Sequence, residues 1–441
     1  MKLLNWIRAN RIFFKESGFN SFSVLVKLAS GFVNNKVISM SLGAGGLGLI
    51  SQMQAYFNLI QGIATAPVSL ALIKQGSKDS KVSIEVRRTY TTALVIGFIL
   101  AFVLTAFTLI LSDTISKWLF DSTAYSNVLR FLSIFIYVFV INSFILSVVN
   151  LEGRAKRYSY ISFISSIILV TTGSFLVFYY KLVGGFLSLV IPHFFISILS
   201  FYYLSKFRIF GAGFMFKFSD FDKIKCFLLL KTSIATVSIS VLGLFAQISL
   251  RKYLLGQLNW SEIGIWDAVN KLSFLYLVLF NSIVQLYFFP KFSRLAISEE
   301  YKESMKLLVS AFRVIYPILI AVFVLVFFAR RYIIEMVFSI EFDGMLALIP
   351  FQLTADFFKV GGFILGNFLI SQAFQKKFVL FEVSFTLLYF VLSVSLIPKF
   401  GLLGLCLADI IKSFLYFVLL GIVLLKIMNK VLKGGQGSAF S

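Results

Sequence analysis

Apolar runs long enough to cross a bilayer alternate with short polar, mostly basic segments along the whole chain. A spanning helix takes about 20 apolar residues. Twelve stretches meet that need, at 21–42, 47–73, 90–112, 128–150, 159–180, 184–204, 227–251, 263–288, 307–328, 347–371, 378–397 and 402–425. A membrane barrel would show short segments of alternating polarity instead. The predicted fold is an all-α polytopic membrane protein. It has about twelve transmembrane helices in two pseudo-symmetric six-helix bundles around a central cavity.

Loop composition sets the organisation. Residues 1–20 carry Lys2, Arg8, Arg11 and Lys15 without a signal-length apolar core, and read as a cytoplasmic amphipathic lead-in. Residues 21–204 form the N-terminal bundle. A basic segment with Gly211 and Gly213, at 205–226, is the cytoplasmic linker. Residues 227–425 form the C-terminal bundle, and 426–441 are a cytoplasmic tail. Basic residues concentrate in alternate loops, as in Lys74, Lys78, Lys81, Arg87 and Arg88, then Arg154, Lys156 and Arg157. That bias places both termini in the cytoplasm.

Two short repeats support a duplicated bundle. Leu42-Gly-Ala-Gly-Gly-Leu-Gly-Leu49 aligns with Leu258-Asn-Trp-Ser-Glu-Ile-Gly-Ile265, and Lys181-Leu-Val-Gly-Gly-Phe resembles Lys399-Phe-Gly-Leu-Leu-Gly. Such internal repeats build many secondary transporters, with the site between them.

Composition agrees: 59% of the residues are hydrophobic and 14% charged, against about 25% charged in soluble domains. The formal charge of +22 is spread over many loops with no single basic arm, which excludes nucleic acid as the partner. Cys226 and Cys406 are far apart in apolar surroundings, so neither a disulfide nor a metal site is expected. No phosphate-binding glycine loop, Gly-x-Ser-x-Gly or His-Glu-x-x-His motif is present, so no cofactor is expected. The single histidine, His193, follows Pro192 and reads as a packed side chain.

The charges that change this picture lie inside the apolar stretches. Nine are basic: Lys27, Lys36, Arg130, Lys231, Arg251, Lys271, Arg313, Lys359 and Lys412. Four are acidic: Asp267, Asp356, Glu382 and Asp409. A cation at bilayer depth costs about 2.5–3.5 kcal/mol on insertion scales, so such residues mark cavities and transport paths. The cationic excess predicts a wet interior that meets an anion.

Lys27 and Lys36 lie on different faces of the first span, separated by roughly 13.5 Å of helical rise, and either coordinate an anion or snorkel to headgroups. Asp267 and Lys271, Asp356 and Lys359, and Asp409 and Lys412 are three or four apart, a spacing that pairs charges on one helix face. These pairs either neutralise themselves or act as gating or coupling switches. Asp356–Lys359 is the best candidate, because Pro350 and Gly361-Gly362 offer flexibility. Arg130, Lys231, Arg251 and Arg313 have no acid within one turn; arginine offers a planar fork for phosphate oxygens. Glu382 stands alone in its span. Tyr56, Tyr276 and Trp266 offer rings for sugar stacking. Asn34, Asn35, Gln52, Gln54, Asn58 and Gln61 need partners or water at depth.

Several of these strings resemble the Wzx-type lipid-linked oligosaccharide flippases of the multidrug/oligosaccharidyl-lipid/polysaccharide exporter superfamily. They are Leu25-Val-Lys-Leu28, Gly43-Ala-Gly-Gly-Leu-Gly48, Leu250-Arg-Lys-Tyr-Leu254, Trp260-Ser-Glu-Ile-Gly-Ile-Trp266, Phe289-Pro290 and Asp356-Phe-Phe-Lys-Val-Gly361. The resemblance covers nearly the whole chain. It implies alternating access and no enzymatic step. It also implies an undecaprenyl-pyrophosphate-linked oligosaccharide as substrate, an O-antigen or related repeat unit of lipopolysaccharide or another surface polysaccharide. The implied location is the bacterial inner membrane, with membrane lipids, a polysaccharide polymerase and a chain-length regulator as partners. By match, Lys27, Lys36, Arg130, Arg251, Asp356 and Lys359 occupy positions charged in that family. Lys231, Lys271, Arg313 and Lys412 rest on this sequence alone, and Asp267–Lys271 departs from the family pattern.

With no nucleotide site, coupling to an ion gradient is the expectation. Two alternatives remain. A multidrug cation antiporter would need acids in the first span, where lysines stand. A membrane polymerase or glycosyltransferase would need a large outer loop, and the largest outer segment, 329–346, is too short for one.

Overall fold

A computed structural model describes residues 11–75, 84–151, 155–205 and 220–433. Among these residues the secondary structure is helical throughout. In chain order the helices are α1 (Arg11–Gln75), α2 (Ile84–Ile110), α3 (Ser112–Phe120), α4 (Ser126–Ser133), α5 (Ile136–Leu151), α6 (Ala155–Leu187), α7 (Ile191–Ser205) and α8 (Lys223–Leu255). They continue as α9 (Trp260–Ile283), a π turn over Val284–Phe288, α10 (Phe289–Ile297), α11 (Tyr301–Val337), α12 (Met345–Ser371), α13 (Gln375–Phe400) and α14 (Leu402–Lys433).

Eight described helical segments are long and apolar enough to cross a membrane: Arg87–Ile110, Ser126–Ser147, Tyr160–Leu187, Trp260–Ile297, Tyr301–Val337, Met345–Ser371, Gln375–Phe400 and Leu402–Met428. The two arms of α1, the shorter apolar α7 and α8 account for the other four expected spans, so the twelve-helix reading stands. Two details differ from the sequence expectation. The span expected at 128–150 is two helices, α4 and α5, and α3 precedes it as an extra short element. Residues 1–10 of the lead-in, 206–219 of the linker and 434–441 of the tail lie outside the described residues.

The expected loop between the first two spans is instead a sharp bend within one helix. Gly43 has φ 66° and ψ −169°, a conformation that side-chain-bearing residues avoid and glycine adopts readily. The second arm therefore starts at Ala44, whose free N–H needs an acceptor. Oε2 of Glu341 accepts it at 3.2 Å. A carboxylate from a remote segment thus does what a local Asp or Ser does at an ordinary helix start.

The chain divides into two compact units. One comprises Met1–Leu42 and Leu49–Ile248; the other comprises Gly43–Gly48 and Ser249–Ser441. In the first unit, Asp222 starts α8 by accepting from the N–H groups of Ile224 and Lys225 at 2.9 and 3.1 Å. Arg87 of α2 bonds Asp220 at 2.8 Å. Phe120, Tyr125 and Phe186 pack edge to face in the core.

In the second unit, Asn259 and Glu262 form a reciprocal cap at the start of α9. The first repeat then acquires a physical meaning. Gly48 lies so close to α9 that a Cβ would stand 2.8 Å from the Trp260 carbonyl oxygen. A Cβ on Gly264 would stand 1.8 Å from the Ala44 carbonyl oxygen. The two copies of the glycine motif, equated by sequence, pack against each other.

The second repeat also holds, in a register shifted by two residues. Lys181 (φ 50°) and Gly401 (φ 56°) each reverse the chain with a left-handed residue. Three positions later, Gly184 and Gly404 abut the carbonyls of Leu176 and Leu396. The turn geometry aligns Lys181 with Gly401, whereas the residue letters align it with Lys399.

Candidate functional site

The charges gather in the second unit, on α9, α12 and α14. Gln352, Asp356 and Lys359 recur at helical spacing on α12, which places them on one face. Asp356 is 0% exposed and its carboxylate is fully engaged. Oδ2 accepts from Ser273 Oγ and Tyr276 OH of α9, both at 2.5 Å. Oδ1 accepts from Gln352 Nε2 and Lys359 Nζ, both at 2.9 Å. Lys359 Nζ also reaches Asp409 of α14 at 2.5 Å. Asp409 in turn accepts from Gln352 at 3.2 Å and from Ser413 at 3.3 Å.

One ammonium is therefore shared by two buried carboxylates, and one glutamine amide joins both. A buried carboxylate without such partners is far more costly than one that is paired and hydrogen-bonded. The Lys359 side chain keeps 18% exposure, against 0% for Asp356 and 10% for Asp409.

This arrangement corrects two same-helix pairings. Asp409 spends its hydrogen bonds on Lys359 rather than on Lys412, which sits half-buried within the field of Asp409, Lys359, Glu382 and Asp356. Asp267 bonds Arg251 directly, with Lys271 in its field but not bonded to it. Arg251 Nη2 donates to Asp267 Oδ1 at 2.7 Å, Nε reaches Oδ2 at 3.4 Å, and the guanidinium lies 5.5 Å from the Trp266 ring centroid. The side chains of Arg251 and Asp267 are 9% and 3% exposed. Arg251 is thus a buried, paired cation, and Lys271 is half-buried one turn along α9.

Glu382 of α13 accepts from Tyr416 OH of α14 at 2.7 Å, so its partner is a phenol. Gly361 and Gly362 serve close packing: a Cβ on either would stand 2.6–2.8 Å from Phe417, the Tyr316 hydroxyl or Tyr416. They lock α12 against α14 and α11, contrary to the flexibility expected of them. Tyr276 and Trp266 are buried at 8% and 5% exposure, and Tyr56 bonds Thr108 at 2.8 Å. Those rings are committed to protein contacts and are not free for sugars.

The remaining cations are not part of this cluster. Arg130 is corrected from a cation without a nearby acid to one with three protein partners: Ser112 at 2.6 Å, Asn127 at 3.2 Å and Asp113 at 3.1 Å. Arg313 on α11 and Lys231 on α8 are exposed, and Lys36 on α1 is half-buried. The side chain of Lys27 lies outside the described residues. On the second arm of α1, Gln54 and Asn58 are exposed one turn apart, with Gln61 half-exposed a turn further on. Such an amide stripe on a membrane helix faces water or a polar ligand.

Sequence reasoning missed Gln352, Ser273, Ser413 and Tyr416, and offered Tyr276 for sugar stacking rather than as a donor to Asp356. Gln352 and Ser413 stand four residues from an intramembrane Asp on the same helix, a spacing that could have found them. Ser273, Tyr276 and Tyr416 reach their acids from other helices and carry no local signal.

Comparison with known proteins gives a consistent setting. The family model described as polysaccharide biosynthesis protein matches residues 14–296. A lipid III flippase of Escherichia coli K12 is 27% identical over 416 residues, covering 92% of this chain and 96% of the relative. A lipid III flippase of Shigella flexneri matches to the same extent. Among solved structures, the lipid II flippase MurJ in an inward closed conformation gives a TM-score of 0.73 at 15% identity, covering 97% of this chain and 94% of that one. An inward-facing multidrug resistance MATE family transporter of the MOP superfamily also gives 0.73, at 12% identity over 94% and 96%. At those identities the two structures speak for the fold alone.

Proposed function

Because the chain belongs to the polysaccharide biosynthesis protein family, we propose that it is a flippase of a lipid-linked oligosaccharide. It would carry an undecaprenyl-pyrophosphate-linked repeat unit, of the O-antigen or a related surface polysaccharide, from the inner to the outer leaflet of the bacterial inner membrane. It acts as a transporter, by alternating access, and not as an enzyme. The observation that carries this reading is the end-to-end likeness to lipid III flippases, over 92% of this chain and 96% of theirs.

The side chains support it. A diphosphate needs cations, and Lys36, Lys231, Lys271, Arg313 and Lys412 are half-buried or exposed. Lys27 is assigned to the same group by sequence. Arg130 and Arg251 hold local structure through their bound acids. Glycan hydroxyls need neutral donors and acceptors, which the Gln54–Asn58 stripe supplies. Coupling falls to the acids. Lys359 can leave Asp356 and Asp409 for a phosphate oxygen, and the carboxylates then need a cation or proton from the gradient. A ligand shifts the conformational balance only through different affinities in the two states, and this exchange provides such a difference. Asp267 and Glu382 belong to the same coupling set, one bound to Arg251 and the other to Tyr416. An antiporter of cationic drugs fits less well, because Asp356, Asp409 and Asp267 already hold protein cations.

Expression in a strain lacking its own flippase tests the reading, scored by surface polysaccharide. Wild type restores the polymer, and Lys27→Ala and Arg313→Ala lower it. Full activity in both variants removes the charge-based mechanism, and failure of wild type across several glycan backgrounds removes the flippase assignment.

A further inference from the structure

The second unit holds a recess of about 350 Å³ between α11 and α14, floored by Leu365 of α12. Met305, Val309 and Phe312 face it from α11; Val418 and Leu425 face it from α14. Every residue that lines it is apolar. Gly421 keeps it open: a Cβ there meets nothing nearer than Leu365 Cδ1 at 3.7 Å. A larger side chain at 421 would fill the space without displacing backbone.

Cations stand at one end. Lys302 and Lys306 precede Val309 by two turns and one turn on the same face of α11, and Lys426 follows Leu425 on α14; all three are exposed. Lys306 is partly held by Glu303 at 2.6 Å. This is the end that the loop charges assign to the cytoplasm. Basic side chains at that level attract anionic lipid headgroups.

Apolar walls alone select nothing in a bilayer, because lipid tails are as apolar as leucine. Discrimination must come from shape and from charge at the mouth. A polyisoprenoid carries a methyl branch on each repeating unit, so it is bulkier than a straight acyl chain, and the recess of about 350 Å³ has room for only its first units. Its diphosphate also bears more charge than the phosphodiester of an ordinary phospholipid.

We propose that the recess between α11 and α14 seats the headgroup-proximal isoprenoid units of the substrate lipid, with Lys302, Lys306 and Lys426 meeting its diphosphate at the mouth. This rests on the flippase reading and adds to it a tail site. The lipid tail is then held by the protein during loading rather than left wholly in the bilayer.

The test uses the full chain in nanodiscs of phosphatidylethanolamine and phosphatidylglycerol. The probe is undecaprenyl diphosphate with a diazirine on a headgroup-proximal isoprene, and label is mapped by peptide mass spectrometry. Label is expected to concentrate on Met305–Phe312 and Val418–Leu425. Gly421→Leu lowers it by about fivefold or more, while Leu419→Phe, on another face of α14, leaves it in place. Lys302→Glu with Lys426→Glu lowers it as well.

Excess unlabelled undecaprenyl diphosphate removes the label, and an equal excess of phosphatidylglycerol does not. Equal competition by phosphatidylglycerol, label spread evenly over the lipid-facing helices, or unchanged label in a Gly421→Leu protein of normal melting temperature overturns the tail site. Complementation separates the two claims. A wild type that restores polysaccharide but shows no focused label sinks the recess alone, whereas a wild type that restores nothing sinks the flippase reading.

Discussion

The two compact units solve the problem of polar side chains at membrane depth in different ways. In the first, the Arg87–Asp220 pair apart, the buried side-chain contacts among the described residues are neutral. Gln52, 0% exposed, donates to the Leu119 carbonyl at 3.2 Å. Tyr56 meets Thr108, Ser69 meets Ser143 at 3.1 Å, and Thr105 donates to the Ser133 carbonyl at 3.0 Å. In the second, full charges are buried and linked across two helices by Asp356, Lys359 and Asp409. Neutral bonds hold helices together and change little when a ligand arrives. A shared ammonium between two carboxylates can be redistributed by one proton or one anion. The turns at Lys181 and Gly401 echo each other, but among the described residues the ammonium shared by two carboxylates lies in the second unit.

This contrast can be broken at several points. The largest effect is expected from Asp356→Ala, which leaves Ser273 and Tyr276 without their acceptor and Gln352 and Lys359 with Asp409 alone. Loss of one partner of a buried pair costs about 3–5 kcal/mol. Thermal unfolding in detergent should shift strongly downward, and surface polysaccharide should be lost in cells. Asp356→Asn keeps the volume and some hydrogen bonds, so it should recover stability while transport stays impaired. If it transports normally, charge at this position has no coupling role.

Next comes Arg251→Ala, which strands a buried Asp267. The double change Arg251→Met with Asp267→Leu should be more stable than either single change, because replacing both ions by apolar groups removes the desolvation cost. A melting series of the four proteins reads this directly. A double variant less stable than both singles would mean the pair is worth more than its burial costs.

In the first unit, Tyr56→Phe should cost only about 0.5–1.5 kcal/mol, the size of one neutral hydrogen bond, and transport should survive. A loss of transport as deep as that of Asp356→Asn would erase the distinction between the units. Smallest of all, Arg130→Ala removes an exposed pair and should cost about 1 kcal/mol or less, measurable as a small shift in melting temperature and none in surface polymer.

The spans were legible because apolar length is a direct consequence of bilayer thickness. The repeats were legible too, and Gly48 and Gly264, equated by letters, prove to be touching. Charge partners were read less well. Helical spacing reports only neighbours on one helix, so it offered Lys271 to Asp267, whereas the structure supplies Arg251 from α8. It likewise offered Lys412 to Asp409, whereas Lys359 arrives from α12. Arg130 was read as lacking an acid because Asp113 lies on α3, an element too short and polar to register as a span. The reversal at Lys181 was legible as the gap between the spans at 159–180 and 184–204, but its positive φ was not, since a lysine in that region is set by its surroundings and not by its type.

The carboxylate of Glu341 and the N–H of Ala44 are 297 residues apart. At about 5–20 residues per second, the ribosome makes the acceptor many seconds after the donor. The start of the second α1 arm must wait in the membrane, already inserted, for a group not yet synthesised. Two halves expressed as separate polypeptides, cut within 205–226, would put Gly43–Gly48 on the wrong fragment for the body it completes. The second fragment would then mature only in the presence of the first, so birth order along the messenger is part of how this protein is assembled.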